Sequence, residues 1–516
     1  MAGTDALPDG ENLPLNLLRH FADATPDAPC LTFRADTLSF HELLAASVRL
    51  ANALEGEGIG PGDRVAIIAP SAPIFYELLF ACSMIGAVMM PLNARLAPRE
   101  IAGIVEDGAP RLIFLDRELT GLVTGINPLP RIIRTNGTYT RWRDAASDDE
   151  QSRSPQPDEP ILLLYTSGTT GQPKGVTISQ RNMLAVSRTA SQAWGFTADS
   201  VNLVAMPLFH IGGIGYGLMA LSQGGHTVLL DTLDPAEVIG AMIDHRVTHA
   251  FFVPAVIQRL VEEVERNGRT VESLQRLIYG ASPISENLLG RAMSVFGCGF
   301  NHAYGMTETA GTVITLAPED HGGAAAETGR LRSCGRAFPW AEVALVDPAT
   351  EQPVADGEVG EIRVRGDMIT PEYWNKPGET ARAITDDGWL CTGDAAYRDA
   401  DGYFFIHDRY KDMIISGGEN VYPAEVENVL AGHDAVSEVA VVGIAHEKWG
   451  ETPRAYIVAA SGAPGDPDAI IAYARDNLAH YKCPTSVVFV DELPRNASGK
   501  ILKHELRAMA QAEQAR

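Results

Sequence analysis

The residues from Tyr165 to Val176, YTSGTTGQPKGV, carry the densest chemistry in the chain. Four aliphatic hydroxyls, three glycines and one lysine fall between Thr166 and Gly175. Glycines let backbone N–H groups approach an anion closely. Hydroxyls add neutral donors, and lysine adds a point charge. That donor set suits a polyphosphate. A Walker A loop, G-x-x-x-x-G-K-[ST], cannot be threaded through it. The Gly499-Lys500 pair has Pro494 five residues before its glycine and Ile501 after its lysine, so it is no P-loop either.

Other groups stand further along. Tyr304-Gly305-Met306-Thr307-Glu308 places a carboxylate just after a glycine turn, an arrangement that can hold Mg²⁺ beside phosphate oxygens. Trp389-Leu390-Cys391-Thr392-Gly393-Asp394 offers a second carboxylate, able to accept two hydrogen bonds from a ribose diol. Asp408-Arg409-Tyr410-Lys411-Asp412 is a charge run at a change of pattern. Ser416-Gly417-Gly418-Glu419 permits close backbone approach, and Pro494-Arg495-Asn496-Ala497-Ser498-Gly499-Lys500 ends 16 residues before the C-terminus.

In their order and types these segments resemble the AMP-forming acyl/aryl-CoA synthetases, the superfamily that also holds peptide-synthetase adenylation domains and firefly luciferases. The resemblance covers nearly the whole chain. It implies that Thr166, Ser167, Gly168, Thr169, Thr170, Gly171 and Lys174 hold the phosphates of ATP. It implies that Glu308 binds Mg²⁺, that Thr307 touches the α-phosphate, and that Tyr304 packs on adenine beside Ala281. Asp394 matches the residue on the ribose, and Arg409 the one on ribose and phosphate. Lys411 matches the hinge about which a tail domain turns, and Lys500 the catalytic lysine. Gly417, Gly418 and Trp449 match the channel for the pantetheine arm of CoA.

The acyl pocket is expected around Pro207–Gly215, with His210 near the substrate carboxylate or gating the channel, and around Gly280 and Ala303. Amino-acid-adenylating relatives carry an Asp at the place of His210, which pairs with an ammonium; His argues against that substrate. His302-Ala303 departs from the Gln-Gly of many relatives, and some dicarboxylate-using relatives have an Arg in this place. Small, uncharged residues there favour an apolar monocarboxylate, a medium-chain fatty acid or an aryl acid. The expected activity is ATP-dependent, AMP-forming ligation of that acid to CoA through an acyl-adenylate. The competing expectations are transfer to a carrier protein, and a nucleotide-binding regulator without turnover.

Elements must position these groups. Short apolar runs, Arg64–Ile68, Arg111–Leu115, His226–Leu230 and Thr248–Val253, alternate with helical patterns such as Asp234–His245. That alternation predicts α/β layers with a largely parallel sheet. Leu78–Leu92 reads as a buried helix and then a strand, and is too short for the ~20 residues of a membrane span. Residues 144–160 read as a solvated loop, and Ile161–Leu164 as the strand that feeds the phosphate loop. From Glu425 the pattern restarts: helix, strand 439–444, strand 455–459, helix 468–479, strand 487–490. The expected fold is α/β, with a large N-terminal domain of layered sheets and helices (1–409) and a small mobile α+β C-terminal domain (410–516).

Composition bounds the rest. The chain has 516 residues, 45% hydrophobic and 21% charged, as globular proteins do. Its net charge of −25 argues against a nucleic-acid partner and requires that any anionic ligand be held by local donors. Six scattered cysteines without a C-x-x-C pair indicate neither zinc nor a disulfide framework, and suit a reducing cytoplasm. The first sixteen residues have no basic n-region or apolar h-region, and the last six no peroxisomal tripeptide. The partners expected are the acid, ATP and CoA, with no integral membrane segment; a homodimer stays open.

Overall fold

The computed structural model describes residues 12–150, 153–166, 173–322, 329–409, 412–416, 419–446, 448–460, 462–463, 465–496 and 500–514. The expected alternation is present. A six-stranded sheet runs, in spatial order, Arg131–Arg134, Leu112–Leu115, Arg64–Ile68, Val88–Pro91, Pro160–Thr166 and Lys174–Ser179. Its first five strands are parallel, and the last turns back antiparallel, so that Thr166 faces Lys174 across the turn that holds the phosphate loop. A nine-stranded sheet has a parallel centre of Gly299–Met306, Arg276–Gly280, His249–Phe252, Val201–Val204, His226–Leu229 and Pro29–Phe33, flanked by antiparallel strands.

These central strands are fully buried runs rather than alternating ones, because helices cover both faces. One core cluster joins Ile67, Phe114 and Leu162 of the smaller sheet to Leu203, Ile278 and Phe300 of the larger, with residues of the helices Phe40–Gly56, Ile74–Ile85 and Ile211–Leu221 between. Ile74–Ile85 is buried along its whole length, which explains its unbroken apolar sequence. Start signals in the sequence set the helix ends. The Ser39 side chain accepts from the Glu42 N–H while Glu42 accepts from the Ser39 N–H, and Asp234 caps Pro235–Asp244.

A third sheet is antiparallel throughout, with the order Gln352–Pro353, Glu342–Asp347, Gly360–Arg365, Leu390–Arg398 and Phe404–Arg409. The C-terminal sheet is formed by Glu419–Val421, Ile414–Ser416, Gly450–Ala459 and Val436–His446, with Ser486–Phe489 added parallel to Gly450–Ala459. Its faces follow the period of two. Val441 and Ile457 pack under the helices Pro423–Leu430 and Pro467–Asn477; Val442 and Tyr456 pack under Lys503–Gln514. The strands of this unit run longer than read from sequence: the one expected over 439–444 runs Val436–His446, and that over 455–459 runs Gly450–Ala459.

All six cysteines are described, and none is in a disulfide. Burial pushes every one of the six thiols up, Cys298 to about 12. Among the described residues no helix is long and apolar enough to cross a membrane.

Candidate active site

In the hairpin Pro160–Thr166/Lys174–Ser179, the strand Lys174–Ser179 docks against a segment 193 residues later in the chain. The Thr177 N–H donates to Glu372 O (3.2 Å), the Trp374 N–H to Gly175 O (2.7 Å), and the Thr370 hydroxyl to Thr177 O (2.5 Å). Asn182 locks the same segment by donating to Asp367 O and Ile369 O at 2.7 and 2.8 Å. This docking brings two side chains against Lys174. Its Nζ lies 2.5 Å from Glu379 Oε2 and 5.1 Å from the centre of the Tyr373 ring. Tyr373 in turn donates to Glu308 Oε1 at 2.8 Å, and the Thr370 N–H donates to Glu308 O at 2.8 Å. The Lys174 ammonium, and after it Arg382, holds the Glu379 carboxyl below its usual range. A chain of contacts therefore runs Glu379–Lys174–Tyr373–Glu308.

Glu308 sits on the short turn Thr307–Thr309, four residues after Tyr304 on the strand Gly299–Met306. The Tyr304 hydroxyl donates to Asp394 Oδ2 at 2.8 Å. Burial and then the Asp394 carboxylate push that phenol well up, so it stays a donor. Asp394 is 7% exposed, its N–H donates to Thr392 Oγ1 (3.1 Å), and its backbone lies in register with Arg409. Gly393, at φ +73°, makes the bend before it, and the Gly393 N–H donates to Glu361 Oε1 at 3.0 Å. The turn thus brings Tyr304, Glu308, Lys174, Asp394 and the Arg409 backbone together from four distant segments.

Of the expected acyl residues, Ala303 lies on the same strand as Tyr304 and Gly280 on its neighbour. Gly280 is opposite Ala303 in register, and a Cβ at Gly280 would meet Ala303 O at 2.2 Å. Ala281 follows at φ +65°, a left-handed backbone that an alanine adopts only under constraint. His210 opens the helix Ile211–Leu221, and its Nε2 is buried with no hydrogen-bond partner among the described residues. Burial, and then Arg95, lowers its pKa to about 4, so the ring is neutral at pH 7.

In the C-terminal unit, Lys500 is exposed in a pinned loop. The Asn496 N–H donates to Lys500 O (2.8 Å), the Lys500 N–H to Asn496 Oδ1 (2.9 Å), and the Leu502 N–H to Pro494 O (2.8 Å). Trp449 is 45% exposed under the Lys448 ammonium, 4.4 Å from its ring centre. Ser416 pairs with Gly450, the residue after Trp449. His407 and Tyr422 stack at 4.6 Å on either side of the expected hinge. Ser167, Gly168, Thr169, Thr170, Gly171, Lys411, Gly417 and Gly418 lie outside the described residues, as does the Arg409 side chain.

Residues 18–374 match the sequence profile of the AMP-binding enzyme, and residues 425–500 that of the AMP-binding enzyme C-terminal domain. The chain belongs to the AMP-binding enzyme family. A feruloyl-CoA synthase of Amycolatopsis is 38% identical to this AMP-binding enzyme over 487 residues, covering 94% of this chain and 96% of the relative. A fatty acid–[acyl-carrier-protein] ligase of Streptomyces coeruleorubidus is 36% identical over 496 residues, covering 94% of each. Among solved structures, the o-succinylbenzoate CoA synthetase of Bacillus subtilis with an acyl-adenylate bound is 31% identical, with a TM-score of 0.84, covering 95% of this chain and 97% of that one. This AMP-binding enzyme is an acid–thiol ligase of the AMP-forming kind, with ATP as its energy source.

The sequence reading passed over Tyr373 and Glu379. Their signal was faint: a tyrosine and a glutamate in PEYWNKPGET, with no glycine-rich or paired-carboxylate pattern to mark them. Only docking against the hairpin gives them their partners.

Proposed function

We propose that this enzyme joins an apolar monocarboxylate, a medium-chain fatty acid or an aryl acid, to coenzyme A through an acyl-adenylate. The observation that carries the reading is the contact chain Glu379–Lys174–Tyr373–Glu308, set on the strand whose Tyr304 holds Asp394. The names of the relatives span fatty and aryl acids, which agrees with an uncharged pocket lined by Gly280, Ala303 and neutral His210.

In the first step a carboxylate oxygen attacks the α-phosphorus of ATP; the new O–P bond forms as the bond to pyrophosphate breaks. Thr166, the residues 167–171 and Lys174 cradle the phosphates, Thr307 touches the α-phosphate, and Lys500 offsets the charge that grows on it. Asp394 and Arg409 take the ribose, and Tyr304 and Ala281 border adenine. Glu308 fits a Mg²⁺ site, because Tyr373 occupies one carboxylate oxygen and leaves the other, and Mg²⁺ takes one or two carboxylates along with phosphates and water. A Mg²⁺ bound there would neutralise charge shared between the phosphates. In the second step the unit 410–516 turns about Lys411 and withdraws Lys500. Gly417, Gly418 and Trp449 then border the pantetheine arm, and the thiol attacks the acyl carbon as AMP leaves. The site works on dissolved substrates in the cytoplasm.

Pyrophosphate release with ATP and Mg²⁺, over acids from acetate to palmitate with benzoate, cinnamate and amino acids, tests the reading. Turnover that depends on CoA supports it. Turnover without CoA dependence would move the acceptor to a carrier protein, and ATP binding without release would make the chain a regulator.

A further inference from the structure

The strand Gly299–Met306 separates two surfaces. Tyr304 points to Asp394, and His302 lies against Tyr279 with its Nδ1 3.4 Å from Cys334 O. By alternation, Asn301 and Ala303 face the opposite side. Across the sheet Asn301 is in register with Ile278, and Ile278 with Phe251. The Phe251 ring packs on Tyr216 at 5.5 Å, and a Cβ at Gly212 would lie 3.3 Å from it. The row Asn301–Ile278–Phe251 therefore faces the helix Ile211–Leu221, which His210 opens. It lies one pleat deeper than the row of Ala303 and Gly280.

Asn301 is wholly buried, and among the described residues neither its amide nitrogen nor its amide oxygen has a hydrogen-bond partner. The Tyr216 hydroxyl is also buried and partnerless, and burial keeps it protonated. Buried polar atoms are satisfied in the great majority of cases, so two such groups joined through the Phe251 row call for a partner. A carboxamide and a phenol together offer donors and acceptors without charge.

We propose that the acyl pocket has a polar floor, made by the Asn301 carboxamide and the Tyr216 hydroxyl, and that it selects aryl acids bearing a hydroxyl or methoxyl remote from the carboxylate. This rests on the ligase reading above, with Ala303 on the acyl wall. A saturated chain that reached the floor would leave these groups dry and unpaired.

The test compares kcat/KM for 4-hydroxycinnamate, cinnamate and octanoate, by pyrophosphate release with ATP, Mg²⁺ and CoA. The wild type is expected to favour 4-hydroxycinnamate over cinnamate by about tenfold or more. Tyr216→Phe, which keeps the ring, should cut that ratio severalfold, and Asn301→Leu should bring it near one. A thermal melt checks that each variant folds; if Asn301→Leu does not, Tyr216→Phe decides. A wild-type ratio near one, a ratio unmoved by the substitutions, or turnover of octanoate alone would overturn the polar floor and leave the ligase reading intact. Silence with all three acids and with the wider panel would overturn the ligase reading itself.

Discussion

On the nucleotide side, Lys174 leans on Glu379 and Tyr373, Glu308 on Tyr373, and Asp394 on Tyr304. On the acyl side, His210 Nε2, the Tyr216 hydroxyl and the Asn301 amide have no partner among the described residues. The same strand carries both arrangements on opposite faces. The first side meets the same ligand at every turnover, and mutual restraint holds its groups in place before ATP arrives. On the reading proposed above, the second side leaves its polar atoms for the substrate to satisfy, which is where one acid can be told from another. Changes on the nucleotide face should therefore scale all acids alike, and changes on the acyl face should re-rank them.

Lys500→Ala should break the first step most severely. Adenylation is expected to fall by roughly 10²–10³-fold for every acid, the size of losing one preorganised charge stabiliser. Thioester formation from supplied acyl-AMP should stay near wild type; equal loss in both half-reactions would remove Lys500 from the first step. Tyr373→Phe should cost about tenfold in kcat/KM for ATP, with the same factor for each acid and partial recovery at higher Mg²⁺, since one hydrogen bond to a charged group is lost. A loss that differs between acids would erase the division of labour.

The buried histidines sharpen the comparison through pH. Burial lowers His210, His226, His249 and His302 to about 4. Unfolded histidines titrate near ~6.5, so between those values the unfolded chain binds more protons. Stability must then fall on acidification from about 6.5 towards 4, and gain nothing from these rings above pH 7. The Tm should drop steadily from pH 7 to 4.5, and the pH profile of acid activation should show no His210 step between 5.5 and 8. A step near 6 that vanishes in His210→Gln would mean the ring is charged when it works. At the small end, Glu265→Gln removes an exposed 2.7 Å pair with Arg291 and should leave the Tm almost unchanged, with neither ATP affinity nor the ranking of acids altered.

The strands beside the proposed nucleotide face were legible in the sequence, because their backbone demands are local. Glycines and hydroxyls cluster within a dozen residues, and strands such as Arg64–Ile68 stand between clear punctuation. The link from Tyr373 to Glu308 spans 65 residues and exists only once the segment Thr370–Trp374 docks on the hairpin. Asn301 was illegible for a different reason. An asparagine in GFNHAYGM carries no sign of which face it takes or of whether its amide is satisfied; register with Ile278 and Phe251 decides both. Likewise, nothing local marked Ala281 as left-handed.

The six thiols bear on the chemistry in a way that packing alone does not suggest. An acyl-adenylate is an electrophile that any thiolate nearby would capture. Cys334 is the near case, buried against the strand of Tyr304, with its thiol donating to Phe404 O and the Asp394 charge adding to the upward push on its pKa. Held protonated with the rest, it is a poor nucleophile at neutral pH. In the proposed reaction, thiols held protonated in this way compete poorly with the acceptor thiol for the acyl group.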